Sequence, residues 1–141
     1  MLASEFINTI TFGIIYSRVD TTFSRPTIAT LSEVYDKQPF FLPRLYCKDG
    51  FNISVQVNFG NYCASENGTR TFGLNWCMVE WGFPSQEIDP EKYSAENNDT
   101  INSVGGYVNA ELIDQLCEEH EGFDLTSTLK HSVYQPNQRL L

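Results

Sequence analysis

Positive charge is what this chain has least of. Its 141 residues carry 9 Lys and Arg against 18 Asp and Glu, a formal charge of −9. The few bases are scattered, which argues against direct nucleic-acid binding, since neutralising phosphates needs clustered Lys and Arg. The same deficit argues against adsorption to an anionic membrane. Long apolar runs are also missing, and none approaches the roughly 20 residues that cross a bilayer. The start, Met1-Leu2-Ala3-Ser4-Glu5, has no basic stretch, and Gly13-Ile14-Ile15-Tyr16 is too short an apolar centre for a secretory signal. Cysteine is sparse. Cys47, Cys63, Cys77 and Cys117 form no CxxC pair and fit neither a zinc finger nor a dense disulfide scaffold. Free thiols are the first expectation, one disulfide the second and a metal site a distant third, so no cofactor or metal is assigned.

What is present is a globular composition, 41% hydrophobic and 13% aromatic, in a length that suits one domain. The charge is unevenly spread. Residues 1–46 hold four acids and four bases, so the whole charge of −9 sits in residues 47–141. Between Glu80 and Asp124, twelve acids face one base, Lys92. Such a block sets a negative field over part of a small domain.

Residues 1–41 read as a nearly neutral, β-prone extension. Ile10, Phe12, Ile14 and Tyr16 alternate along a candidate strand, Arg25-Pro26 interrupts, and Thr27–Tyr35 is a second weak strand. The extension is expected either to pair with a neighbouring subunit or to add strands to the same sheet. Phe51–Phe59 is the clearest strand, with Phe51, Ile53, Val55, Val57 and Phe59 on one face. Asn67-Gly68 signals a hairpin. A returning strand over Thr71–Phe83 puts Cys77, Val79, Trp81 and Phe83 inward and Trp76, Met78 and Glu80 outward. Gln86–Ser103 is an acidic loop with a helical turn near Pro90. Gly105-Gly106 reads as a turn, not a phosphate loop. Asn109–Gly122 is a helix with Asn109 as N-cap, a Val108/Ile113 staple and Gly122 at the C-terminal stop. Glu118, Glu119 and Glu121 crowd the negative end of its dipole, which folding does not require. Residues 126–141 read as a tail that includes Gln135-Pro136-Asn137-Gln138.

No constellation names a reaction. Cys63 with His120, Cys117 with His120, and Glu80 with Glu87 have the residue types for nucleophilic, metal and acid–base chemistry. Packed core residues and solvated carboxylates account for all three. Two sets of residues are instead expected to meet protein partners. One is the acidic face of Glu80, Glu87, Asp89, Glu91, Glu111, Asp114, Glu118, Glu119 and Glu121. The other is the arm and aromatic set of Phe12, Ile14, Tyr16 and Trp76.

Residues 42–123 resemble a family of short uncharacterised proteins encoded by tailed phages and prophages. The carrying residues are Leu42-Pro43, Cys47, Gly50-Phe51, Ser54-Val55-Gln56, Tyr62-Cys63, Val79-Glu80, Gly82-Phe83-Pro84-Ser85, and Gly106-Tyr107-Val108 leading to His120 and Gly122. The N-terminal extension and a longer insertion between Cys63 and Val79 depart from that pattern. The resemblance implies a phage origin and a β-rich domain with one helix, and it transfers no catalytic residue.

The expected fold is α+β: a small antiparallel sheet over 42–125 with one C-terminal helix packed on it. The expected function is non-enzymatic. One form is a capsid decoration or joining protein that uses its N-terminal arm for subunit contacts, as a homo-oligomer or with other virion subunits. The other is an acidic, DNA-mimicking inhibitor of a host nuclease or defence complex. Virion and host cytoplasm are the corresponding locations.

Overall fold

The computed structural model describes residues 1–133. Along the chain run α1 (Ala3–Ser17), α2 (Ile28–Lys37), β1 (Leu45–Tyr46), β2 (Asn52–Gln56), β3 (Ala64–Ser65), β4 (Gly68–Thr69), β5 (Trp76–Gly82), β6 (Val104–Asn109), α3 (Ala110–Glu119) and α4 (Leu125–Val133). The fold is α+β, with one six-stranded antiparallel sheet. Strand β5 is its centre. Trp81 and Gly82 pair with β2 on one edge and with β6 on the other. Met78 pairs with Ala64 and Asn109, so β3 follows β2 along the same edge.

The period-two pattern at β2 holds. Phe51, Ile53, Val55 and Val57 are buried, while the expected fifth member, Phe59, is exposed. The chain leaves the sheet after Val57 because Asn58 turns inward, where its amide donates to Phe40 O at 2.8 Å. Asn67 lies in the expected hairpin, between Ser65 and Gly68. On β5 the expected facing is half right. Val79 and Trp81 are buried, but so is Trp76, whereas Cys77 and Phe83 are exposed. Register explains this. Ala64 faces Met78 and Ser65 faces Trp76, so Cys77 is an extra residue that turns the strand before it over. Gly105-Gly106 lies within β6 rather than in a turn. A Cβ on Gly105 would sit 2.6 Å from Tyr93 O, and one on Gly106 would sit 2.7 Å from Tyr62 Cβ. Only glycine lets those groups approach.

Residues 1–41 depart most from the sequence expectation: no strand forms there. Ala3, Phe6, Ile7, Thr11 and Ile15 form one buried stripe at helical spacing on α1. Leu2 has no side-chain acceptor to cap this helix. Asp114 on α3 fills that role, accepting from Ser4 N at 2.8 Å and Ser4 Oγ at 2.6 Å. Helix α2 begins with a reciprocal cap: Thr30 N donates to Thr27 Oγ1, and Thr27 N donates to Thr30 Oγ1. It buries Leu31 and Tyr35. The Tyr35 hydroxyl donates to Val57 O at 2.7 Å, and its ring lies 5.3 Å from that of Trp76. These side chains belong to the same core as β2, β5 and α3. The neutral stretch is therefore built into the domain and is not an extended arm.

Helix α3 has the expected caps. Asn109 Oδ1 accepts from Glu111 N at 2.9 Å, Val108 and Ile113 are buried, and Gly122 takes φ +99° after the helix. A further helix, α4, occupies part of the expected tail. Asp124 caps it by accepting from Ser127 N at 3.0 Å, and Thr128 Oγ1 accepts from Tyr46 N of β1 at 2.9 Å. The Gln135–Gln138 segment lies outside the described residues. No helix among the described residues is long and apolar enough to cross a membrane.

Candidate functional site

The acidic residues divide by what they hold. The Glu80 carboxylate accepts from Asn61 Nδ2 at 2.8 Å and from Tyr62 N at 3.1 Å, which ties the 57–63 loop to β5. Glu87 accepts from both the amide and the hydroxyl of Thr100, and these bonds hold its carboxyl below the ordinary value. Asp89 Oδ1 accepts from Glu91 N and Lys92 N at 3.0 and 3.2 Å and closes the following turn. Asp114 caps α1, as described. Glu91, Glu111, Glu118, Glu119 and Glu121 are exposed, and Glu119 meets Lys92 at 3.7 Å. The expected acidic face thus separates into four structural carboxylates and an outer group of five.

The aromatic set separates too. Phe12 and Tyr16 are exposed on α1 with ring centroids 5.7 Å apart, as their i, i+4 spacing allows. Ile14 is partly buried against the core. Trp76, expected at the surface, is only 2% exposed, because the Cys77 bulge turns it inward. Large apolar side chains that sequence reasoning passed over are more open: Phe23 is 94% and Phe41 70% exposed.

The candidate reactive pairs are not assembled. Cys63 Sγ lies 3.7 Å from Tyr35 Oη and 3.6 Å from Asn58 O, and burial pushes its thiol up to about 11. His120 is occupied elsewhere, with Nδ1 2.7 Å from Asp49 Oδ2 and its ring stacked on Phe51 at 4.0 Å. Asp49 also accepts from Phe51 N, and that bond, more than His120, lowers its carboxyl. Cys117 packs against Cys47, whose side chain, together with burial, raises the Cys117 thiol. Glu80 and Glu87 serve different loops. Among the described residues, no three His, Cys, Asp or Glu side chains are grouped to hold a metal ion.

One cleft, of about 320 Å³, joins the acidic loop to the end of α3. Glu87, Asp89, Lys92 and Tyr93 form one wall, and Leu116, Glu119 and His120 form the other. Tyr93 is anchored from the sheet, since its carbonyl accepts from Trp81 Nε1 at 2.8 Å. Its ring is buried, and its hydroxyl has no partner in hydrogen-bond geometry among the described residues. Burial, and then the Glu119 carboxylate, raise its pKa. Lys92 Nζ stands 5.4 Å from the Tyr93 ring centroid. The sequence signal for this site is an aromatic residue set alone in a polar, acidic loop, which marks a segment that folds back onto the core. Comparison of the chain with protein-family models, with curated proteins and with solved structures finds no match.

Proposed function

We propose that this chain is a non-enzymatic protein-interaction component of a phage, acting in the virion as a capsid decoration or joining protein. The phage origin rests on the likeness of residues 42–123 to the phage and prophage family. The observation that carries the interaction role is the exposure of Phe12, Tyr16, Phe23 and Phe41 in the charge-neutral part of the chain. A domain with a filled core has no folding need for aromatic side chains in water, and such residues are the usual anchors of protein interfaces. The contact surface in this reading is the outside of folded helices and their connections. Mass spectrometry of particles purified from the encoding phage tests it: the chain is expected at a fixed copy number. Its absence from particles overturns the virion role.

A second reading has its own observation. Glu91, Glu118 and Glu121 are exposed and have no ion-pair partner among the described residues. They suit a basic protein partner, as an inhibitor of a nuclease or defence complex would require. Reversing Glu118 and Glu121 to Lys should then abolish capture of a basic partner, whereas undiminished binding removes this reading.

A further inference from the structure

The cleft beside α3 is lined by a residue whose polar group the other described residues leave unsatisfied. Tyr93 is 2% exposed, yet no group among the described residues meets its hydroxyl in hydrogen-bond geometry. Buried polar atoms are almost always paired, so an orphan on a residue that lines an open cleft points to something that enters it. Lys92 comes nearest to the hydroxyl, close enough to act on it but outside hydrogen-bond geometry, and Glu119 and Asp89 lie within electrostatic reach; all three line the same cleft.

The charges there select the sign of the ligand. Glu87 and Asp89 are committed to backbone donors of their own loop. Among the described residues Glu119 pairs only with Lys92, at 3.7 Å, with both side chains about half exposed (40% and 58%). That pair is long and solvated, so it is easily exchanged. Lys92 is also the only base between Glu80 and Asp124. It sits against Glu119 and the Tyr93 ring, where an incoming cation would sit. Ile88 and Leu116 add apolar surface for an alkyl stem.

We propose that this cleft receives an arginine side chain from a basic protein partner, whose guanidinium displaces Lys92 from Glu119 and gives the Tyr93 hydroxyl its missing hydrogen bond. The planar, multi-donor guanidinium serves a carboxylate and a phenol oxygen together. A lysine ammonium is a point charge without that geometry. The proposal deepens the acidic-face reading and rests on it, since it locates where a basic partner is gripped.

The test is an NMR titration of the full chain with N-acetyl-arginine-methylamide, and separately with the lysine analogue. The arginine probe should shift the amides of 88–93 and 116–120 and bind more tightly than the lysine one. Tyr93→Phe should weaken it about tenfold, as expected for losing a hydrogen bond to a charged group. It should not lower the melting temperature, because it removes an unpaired hydroxyl. Lys92→Ala, which removes the competitor, should strengthen binding. No shifts in these segments, or equal binding by Tyr93→Phe and the parent chain, overturns the proposal. Failure here while charge reversal at Glu118 and Glu121 still abolishes partner capture rejects the cleft and keeps the acidic face. Failure of both rejects both.

Discussion

Single carboxylates hold much of this molecule's irregular structure together. Glu87 braces the end of the acidic loop through Thr100, Asp124 starts α4 through Ser127, and Asp49 fixes the turn before β2. Donors to the charged form hold all three carboxyls below their ordinary values of 4.5 for Glu and 3.8 for Asp. A carboxyl depressed in the folded state contributes its full stability above the unfolded value. That contribution is lost as pH falls through the folded value. The unfolding midpoint should therefore decline as pH drops below about 4.5. Glu87→Gln should be less stable than the parent chain at neutral pH, and the gap should narrow in acid, as the pH falls through the depressed value of the Glu87 carboxyl. Denaturant melts of both proteins at neutral and acidic pH check this, and a gap that persists in acid contradicts it. The sequence identified these residues as acids but could not tell a brace from an open charge. That difference depends on which backbone amides arrive beside each carboxylate.

At the level of elements, local pattern succeeded where one period fitted and failed where two did. Helix α3 was readable because Asn109, the Val108/Ile113 pair and Gly122 mark both its ends. In α1 the alternation of Ile10, Phe12, Ile14 and Tyr16 is real, but Ala3, Phe6, Ile7, Thr11 and Ile15 also form a helical stripe. The choice went to the helix because α3 and β5 offer that stripe a surface and Asp114 supplies the missing cap. In α2, Thr27 and Thr30 looked like strand residues, yet they cap each other. Strand β6 was missed because its glycines read as a turn. Those glycines also carry a prediction. In Gly105→Ala the new methyl would meet Trp81 Cε2 at 2.5 Å and Tyr93 O at 2.6 Å. Both groups are held by a buried hydrogen bond, so relief requires moving β5 or the acidic loop. The cost should be about 1–3 kcal/mol, the usual range for overpacking. Urea unfolding measures it, and a variant as stable as the parent chain would mean the strand can shift freely.

At the level of the whole molecule, the neutral and acidic stretches are not separate bodies. Phe6, Ile7, Ile15, Leu31 and Tyr35 belong to one cluster with Val55, Trp81 and Ile113. Burying each such side chain contributes about 1.5–3 kcal/mol, and five together rival the 5–15 kcal/mol that holds a typical domain folded. A fragment that begins at residue 42 is therefore expected not to fold. Its circular dichroism should lack a cooperative melt, and a cooperative transition would show that the sheet and α3 stand alone. The sequence by itself determined the α+β class, the buried face of β2, the limits of α3 and the concentration of acid after Glu80. Each follows from neighbours along the chain: period, capping residues and charge count. Only the tertiary structure decided that the first 41 residues form two helices and no strand, that Trp76 points inward, that Asp114 caps α1 and that Tyr93 lines an acidic cleft. Each of these depends on a partner far away in sequence. Trp76, for example, is turned by one extra residue opposite β3, and α1 is capped from 110 residues away.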